Sequence, residues 1–290
     1  MDSITNLKSL LVLRQIARLA RFIGLGTLLT ANRNLLDLVF EKLDWPPLKV
    51  RIDDFEICGY LRHRSFLEQI SAGSYESFSI QLFRKALRPG TFIVDAGAHI
   101  GLYSLLGAPR VGNSQKIFSY EPDPYNFKAL VFNISKNHYN NIIPIQKALS
   151  NSIGLTSFYK SLGTIGSSLV KRRDVGKMIK IPVPSTTLDT ELQGFDISSI
   201  VIKLDVEGAE LLALDGMSNI LDGTDSAILI VELNPSALLD AGVNSNILIN
   251  DLRKHGFRKI HFVDELNKKL IPVTNLTIPK KGNLYCIKDR

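Results

Sequence analysis

The stretch TFIVDAGAHIGLY at residues 91–103 constrains the fold more than any other part of the chain. Phe92, Ile93 and Val94 make a short apolar run that ends on Asp95, and a turn with glycines at 97 and 101 leads into a helical pattern starting near His99. A strand, a tight loop and a helix N-terminus in that order belong to an open α/β sheet, which binds its ligand beyond the carboxyl ends of its strands. Gly97, Ala98 and Gly101 let the backbone approach a ligand closely, the first helical N–H groups are left unpaired there, and Asp95 adds a negative charge. The spacing Asp-x-Gly-x-x-x-Gly departs from the Gly-x-Gly-x-x-Gly of dinucleotide enzymes and suits a ligand with a positively charged end better than a pyrophosphate.

Further apolar strand patterns recur at 116–120, 142–148, 201–205, 227–232, 259–263 and 284–288, with 155–160 as an extra hairpin-like strand. Helical segments fall near 101–108, 124–137, 208–220 and 244–256. This alternation predicts an α/β fold, a doubly wound and largely parallel sheet. The last two strands are joined by a Pro/Asn/Lys loop rather than a helix, which permits an antiparallel pair at one edge. Ahead of the sheet, residues 49–61 alternate around Asp53 and Asp54 and read as a β-hairpin, and residues 76–88 read as a helix stopped by Pro89-Gly90. Residues 161–187, rich in Gly, Ser and basic side chains, read as a long functional loop whose Lys171, Arg172, Arg173 and Lys177 would steer an anionic acceptor.

Residues 7–31 form an amphipathic basic pattern in which Arg14, Arg18 and Arg21 recur at helical spacing. Its apolar runs fall short of the ~20 residues a membrane span needs, and the arginines interrupt what a secretory signal would keep apolar. Packing on the main domain, peripheral contact with a membrane surface and an organellar presequence stay open for it. The expected organisation is a helical extension over 1–48 and a main domain over 49–290 with its core from about residue 90. The 290 residues, 45% of them hydrophobic, suffice for one sizeable core, and the net charge of +7 favours anionic surroundings without naming a partner. Cys58 and Cys286 lie far apart in apolar strand-like contexts, which supports neither a disulfide framework nor a thiolate metal site and points to a reducing, cytoplasmic compartment. Basic residues are not interleaved with aromatics along one stretch, so nucleic acid is a disfavoured partner.

Two further clusters carry chemistry. Glu121 follows an apolar strand in SYEPDP, where an acidic side chain can accept hydrogen bonds from both hydroxyls of a ribose; Asp123 is then the N-cap of a helix that begins at Pro124. In IKLDVEGAE, at 202–210, Asp205, Glu207 and Glu210 crowd the end of a core strand that also contains Lys203, and Glu232 ends a neighbouring strand. Gathering like charges at the rim of a buried sheet is costly without partners, and such carboxylates can orient a hydroxyl or accept its proton. Glu210 is equally a helix-dipole partner, and His99 is either a base or a packing residue of the glycine loop. With no dense Asp-x-Asp pattern or His pair, no metal site is expected.

VDAGAHIGLYS, SYEPDP, KALSN, STTLD, KLDVEGAELLALDGM and IVELNP, in this order, resemble the FkbM-type S-adenosylmethionine-dependent methyltransferases over residues 49–288. The resemblance implies a seven-stranded Rossmann-like class I methyltransferase sheet, with helices on both faces and its last strand antiparallel. It implies S-adenosylmethionine over Asp95, Gly97, Ala98 and Gly101, with its ribose on Glu121 and Asp205 beside it. It also implies an acceptor hydroxyl on a sugar, glycolipid or natural product, with Asp205, Glu207 and Glu210 in the family's acidic run, and with His99 of the glycine loop these make the candidate catalytic groups. His99 stands where asparagine is common in the family. A nicotinamide oxidoreductase on a related fold and a non-catalytic membrane-surface protein are the competing readings.

Overall fold

A computed structural model describes residues 46, 48–113, 115–161, 166–274 and 281–289. The amphipathic segment at 7–31 lies outside the described residues, as does nearly all of the expected extension. The described chain opens on a hairpin of β1 (Leu48–Ile52) and β2 (Phe55–Gly59), turned at Asp53 and Asp54 as expected. Two helices follow: α1 (Arg64–Ser71), which the sequence pattern did not announce, and α2 (Ser77–Ala86). Next come β3 (Phe92–Ala96), α3 (Leu102–Val111), β4 (Ile117–Tyr120) and α4 (Pro124–Lys136). Asp123 caps α4, accepting from the Tyr125 N–H, and Pro124 occupies the first helical position, where its missing N–H costs nothing.

The single strand expected at 142–148 divides into β5 (Ile142–Ile145) and β6 (Ala148–Leu149), which belong to different sheets. A tight turn closed by the Lys147 N–H on the Ile145 carbonyl separates them. The expected loop at 161–187 is also corrected: β7 (Gly154–Ser161) pairs antiparallel with β8 (Met178–Thr186), and β6 runs parallel to β8, giving a separate three-stranded sheet. Pro182 and Pro184 conceal this strand in the sequence. β6 reaches only Ser185 and Thr186 of β8, so among the described residues both prolines stand where β8 has β7 as its one neighbour, a position an edge strand tolerates.

The chain continues through α5 (Leu188–Glu191) and β9 (Ser199–Leu204). The helix expected over 208–220 is two short ones, α6 (Glu210–Asp215) and α7 (Ser218–Gly223). They part at Gly216, where a Cβ would lie 1.9 Å from the Ser150 carbonyl oxygen, so the backbone itself packs there. β10 (Ser226–Leu233), α8 (Pro235–Asp240), α9 (Ser245–Lys254), β11 (Lys259–Asp264), β12 (Lys269–Pro272) and β13 (Gly282–Lys288) complete it.

The main sheet has the order β12-β11-β13-β10-β9-β3-β4-β5. β10, β9, β3, β4 and β5 are parallel, and β13 is antiparallel to both β10 and β11. The seven expected strands are present, and β12 folds back on β11 as an eighth. This is the Rossmann-like α/β fold expected, with the reversed strand inserted beside the parallel core. Side chains alternate between its faces. Ile93, Val201 and Ile230 pack with the hairpin and α1–α4, whereas Val94, Ile202 and Val231 pack with α5–α9. Asp95, Lys203 and Glu232 have the parity of the first group, so their side chains leave the strands on the face that α1 and α2 cover.

Candidate functional site

The cleft lies where β3, β4 and β9 end. Asp95 pairs in register with Lys203 across the β3–β9 ladder, and the loop after β3 tucks against the tip of β9. Gly97 has φ +81, and a Cβ on it would stand 1.9 Å from the Asp205 carbonyl oxygen, so the position admits no side chain. His99 and Glu207 hold left-handed φ values of 53 and 54, a conformation non-glycine residues adopt mainly where surrounding structure enforces it. Both side chains reach the cleft.

Asp95 is buried, and its Oδ2 accepts from the backbone N–H of Ser104 at 2.9 Å and from its hydroxyl at 2.6 Å. Burial pushes its pKa up to about 6 against the opposing pull of those bonds. Glu121 is 5% exposed. Its Oε2 accepts from the His99 N–H and its Oε1 from the Asp123 N–H, both at 2.8 Å, so the carboxylate braces the glycine loop and keeps lone pairs for a ligand. Burial and the nearby Asp123 charge push it up to about 8. The His99 ring meets Phe66 and His63 edge-on, and burial drives its pKa down to about 4, leaving a neutral imidazole at physiological pH.

Lys203, 2% exposed, organises the acidic rim. Its Nζ lies 3.1 Å from Asp205 Oδ2, 3.1 Å from Asn283 Oδ1 and 3.7 Å from Glu76 Oε2. Burial opposes the ammonium, but the charges of Asp205, Glu76 and Glu232 outweigh it and raise its pKa above the ordinary lysine value. Glu76 also accepts from the Tyr103 hydroxyl at 2.6 Å. Glu207 pairs with Arg172, and Glu232 with Lys281 at 3.3 Å. Burial, followed by the Asp205 charge, raises the pKa of Glu207 and of Glu232.

Asp95, Gly97, Ala98, His99, Glu121, Asp205 and Glu207 all line this one cleft, as the sequence pattern expected. Gly101 and Glu210 do not. Gly101 stands behind the loop with φ +96, where a Cβ would press on Leu130 of α4 at 2.7 Å. Glu210 is fully buried in the first turn of α6, its Oε1 accepting from the Gly208 N–H at 3.0 Å, and burial pushes it up to about 7. Both are residues of the loop architecture rather than of the cavity wall.

Several wall residues are not among the site residues expected from the sequence. Phe66 and Tyr75 arrive from α1 and the turn before α2, while Ala148, Leu149, Phe158, Ser168 and Leu169 come from the three-stranded sheet and its flank. That sheet is held against the cleft by Lys160, whose Nζ lies 3.0 Å from Asp123 Oδ1 and 3.6 Å from the Tyr125 ring centroid, and by the Ser168 hydroxyl donating to the Val206 carbonyl at 3.1 Å. Of the basic residues expected to steer an acceptor, Arg172 is buried on Glu207 and Asp174, and Arg173 pairs with Asp240.

Residues 95–259 match the model of the methyltransferase FkbM domain. The hexuronic acid methyltransferase AglP of Haloferax volcanii is 27% identical over 161 residues, which is 51% of this chain and 59% of that protein. The match thus spans about three fifths of the relative's length. Among solved structures, an S-adenosylmethionine-dependent O-methyltransferase of Thermotoga maritima aligns with TM-score 0.40 and 14% identity, covering 74% of this chain and 64% of that one. A TehB-like S-adenosylmethionine-dependent methyltransferase of Corynebacterium glutamicum aligns with TM-score 0.43 and 13% identity, covering 78% and 95%.

Proposed function

This chain belongs to the FkbM methyltransferase family, and from that premise we propose that it transfers the methyl group of S-adenosylmethionine to a hydroxyl of a sugar, with a uronic acid as the first acceptor to try. The observation that carries the reading is the convergence of Asp95, Gly97, Glu121 and Asp205 on one cleft at the strand tips. In this reading the ribose hydroxyls donate to Glu121, and the glycine loop with Asp95 and Asp205 receives the sulfonium and ammonium end. The adenine lies against Ala148, Leu149 and Phe158. His99, neutral and packed edge-on against Phe66 and His63, is a wall of the nucleoside pocket and a weak base.

Methyl transfer is an in-line displacement: the acceptor oxygen attacks the methyl carbon, the carbon–sulfur bond breaks, and the electron pair stays on sulfur. Alignment supplies most of the acceleration. The hydroxyl proton needs an acceptor, and Glu207 has the cleft position and the raised basicity for it, with Asp205 held in place by Lys203. Glu210 acts one step back, fixing the Gly208 turn that presents Glu207.

Calorimetry with S-adenosylhomocysteine tests the premise, and no binding to the wild-type chain sinks it. Transfer of a labelled methyl group to uronic acids compared with neutral sugars tests the acceptor. Among the described residues no helix is long and apolar enough to cross a membrane. Peripheral membrane contact through residues 7–31 is a separate part of the proposal, tested by liposome flotation with and without that segment.

A further inference from the structure

The tips of β9 and β10 bring Glu232 beside Asp205 and Glu207. Asp205, Glu207 and Glu232 each offer an oxygen, and these oxygens lie within 4.8 Å of one another. Opposed oxygens around a six-coordinate cation are separated by twice the bond length, roughly 4 Å for magnesium and roughly 5 Å for calcium. The spacing is therefore that of a loosely open coordination sphere. Glu232 is 8% exposed, and its Oε2 is buried with no hydrogen-bond partner among the described residues, although it faces the charges of Asp205 and Glu207. An orphaned carboxylate oxygen in a buried site is costly, and a ligand that accepts its lone pair removes the cost.

Charge points the same way. Glu76, Asp205, Glu207 and Glu232 share this region, and among the described residues the cations paired with them are Lys203, Arg172 and Lys281. Four carboxyl groups against three positive ones leave a shortfall of one. Arg172 divides its charge further, with Asp174. Lys281 touches Glu232 only through Oε1, and its side chain is 57% exposed, so its ammonium can leave for solvent when another cation enters.

We propose that Asp205, Glu207 and Glu232 form a site for one hard divalent cation of the magnesium class, bordering the space proposed for the acceptor. The all-oxygen donor set selects magnesium, manganese or calcium over zinc or copper. This site deepens the methyl-transfer reading and rests on it for its purpose: a cation there would lower the pKa of an acceptor hydroxyl. Binding itself is independent of that purpose.

The probe is Mn2+ added to the full chain freed of metal, without S-adenosylmethionine, followed by calorimetry and by the loss of its free-ion electron paramagnetic resonance signal. One Mn2+ per chain is expected, displaced by excess Mg2+. Glu232→Gln weakens it at least tenfold, Glu207→Gln does the same and serves if the first variant fails to fold, and Lys281→Met binds at least as tightly as wild type. Absence of binding at millimolar Mn2+, or binding unchanged in both glutamine variants, overturns the site. S-adenosylhomocysteine titrated in parallel separates the two ideas. Nucleoside binding without Mn2+ binding removes the cation site alone, and Mn2+ binding without nucleoside binding removes the transfer reading.

Discussion

Replacing Lys203 by Met tests how the acidic rim is held. Methionine keeps an aliphatic stem of similar length inside the strand and deletes the charge. The deletion leaves Asn283 Oδ1 without the donor now at 3.1 Å and leaves Asp205 and Glu76 without the ammonium at 3.1 and 3.7 Å. Breaking a buried pair by removing one partner costs about 3–5 kcal/mol. Here the lower end applies. Asp205 retains 22% side-chain exposure and Glu76 keeps the Tyr103 hydroxyl, so water and that bond recover part of the loss. The expectation is about 3 kcal/mol, and a chain of this size then melts roughly 6–12 °C lower, at about 2–4 °C per kcal/mol. The deficit should shrink as pH falls, because loss of the ammonium makes proton uptake by the folded rim easier than in the wild type, and uptake by the folded state stabilises it. Urea denaturation at pH 8 and pH 5.5 measures both quantities. A loss under 1 kcal/mol, or one equal at the two pH values, refutes the view that Lys203 is the counter-charge of this rim.

Three further outcomes follow from the same geometry. At pH 9, above the value of about 8 at which Glu121 ionises, Glu121→Gln should weaken S-adenosylhomocysteine binding by about ten- to hundredfold, the worth of a charge-assisted hydrogen bond of about 1.5–3 kcal/mol, and because its amide N–H faces the His99 or Asp123 N–H the chain should also melt several degrees lower; calorimetry reads the first and a thermal scan the second. Gly97→Ala places a methyl group 1.9 Å from the Asp205 carbonyl oxygen on a backbone of φ +81, so binding should be abolished and the chain destabilised, as denaturation and the same titration would show. Asp95, Glu210 and Glu121 have folded pKa values pushed up to about 6, 7 and 8, so between the ordinary carboxylate range and those values the folded chain holds more protons than the unfolded one, and stability falls as pH rises through that window. Melting temperatures of the ligand-free chain from pH 5 to 8.5 check this, and Glu210→Gln should flatten the fall.

The parts of the fold that were legible in the sequence are those in which one segment settles its own structure. The β3 strand, its glycine turn and the Asp123 cap of α4 depend on residues a few positions apart, and they stand where the pattern put them. β8 was not legible because its partner β7 lies across a long excursion and its prolines break the alternation, and β12, though only a turn from β11, was hidden because it is four residues long and mostly exposed. Gly101 and Glu210 were misplaced for a related reason: a motif states which residues recur together but not which of them turn toward the cavity. Gly101 answers to Leu130 on α4, and Glu210 to the Gly208 turn. The wall residues Phe66, Tyr75 and Phe158 lay beyond reach altogether, since they enter from segments outside the core alternation.

The division between core and wall also separates two kinds of specificity. The strand tips carry the groups that any positively charged nucleoside needs, and their positions follow from ladder register: Asp95 beside Lys203, and Lys203 beside Ile230, two residues before Glu232. The walls are additions to that sheet, anchored through a few polar contacts such as Lys160 on Asp123 and Ser168 on the Val206 carbonyl. A change in the walls can therefore alter the shape of the acceptor space, and the surface at Ala148, Leu149 and Phe158 that the adenine would meet, while leaving the strand-tip carboxylates in place. Lys160→Met loses the Asp123 contact and the Tyr125 ring contact without touching the loop at Gly97, so the three-stranded sheet should loosen first. Amide hydrogen exchange would then speed up in β7 and β8 and stay slow in β3 and β9. Equal acceleration in all four strands would show that core and wall are one cooperative unit, and acceptor choice would then have to be sought in the strand tips themselves.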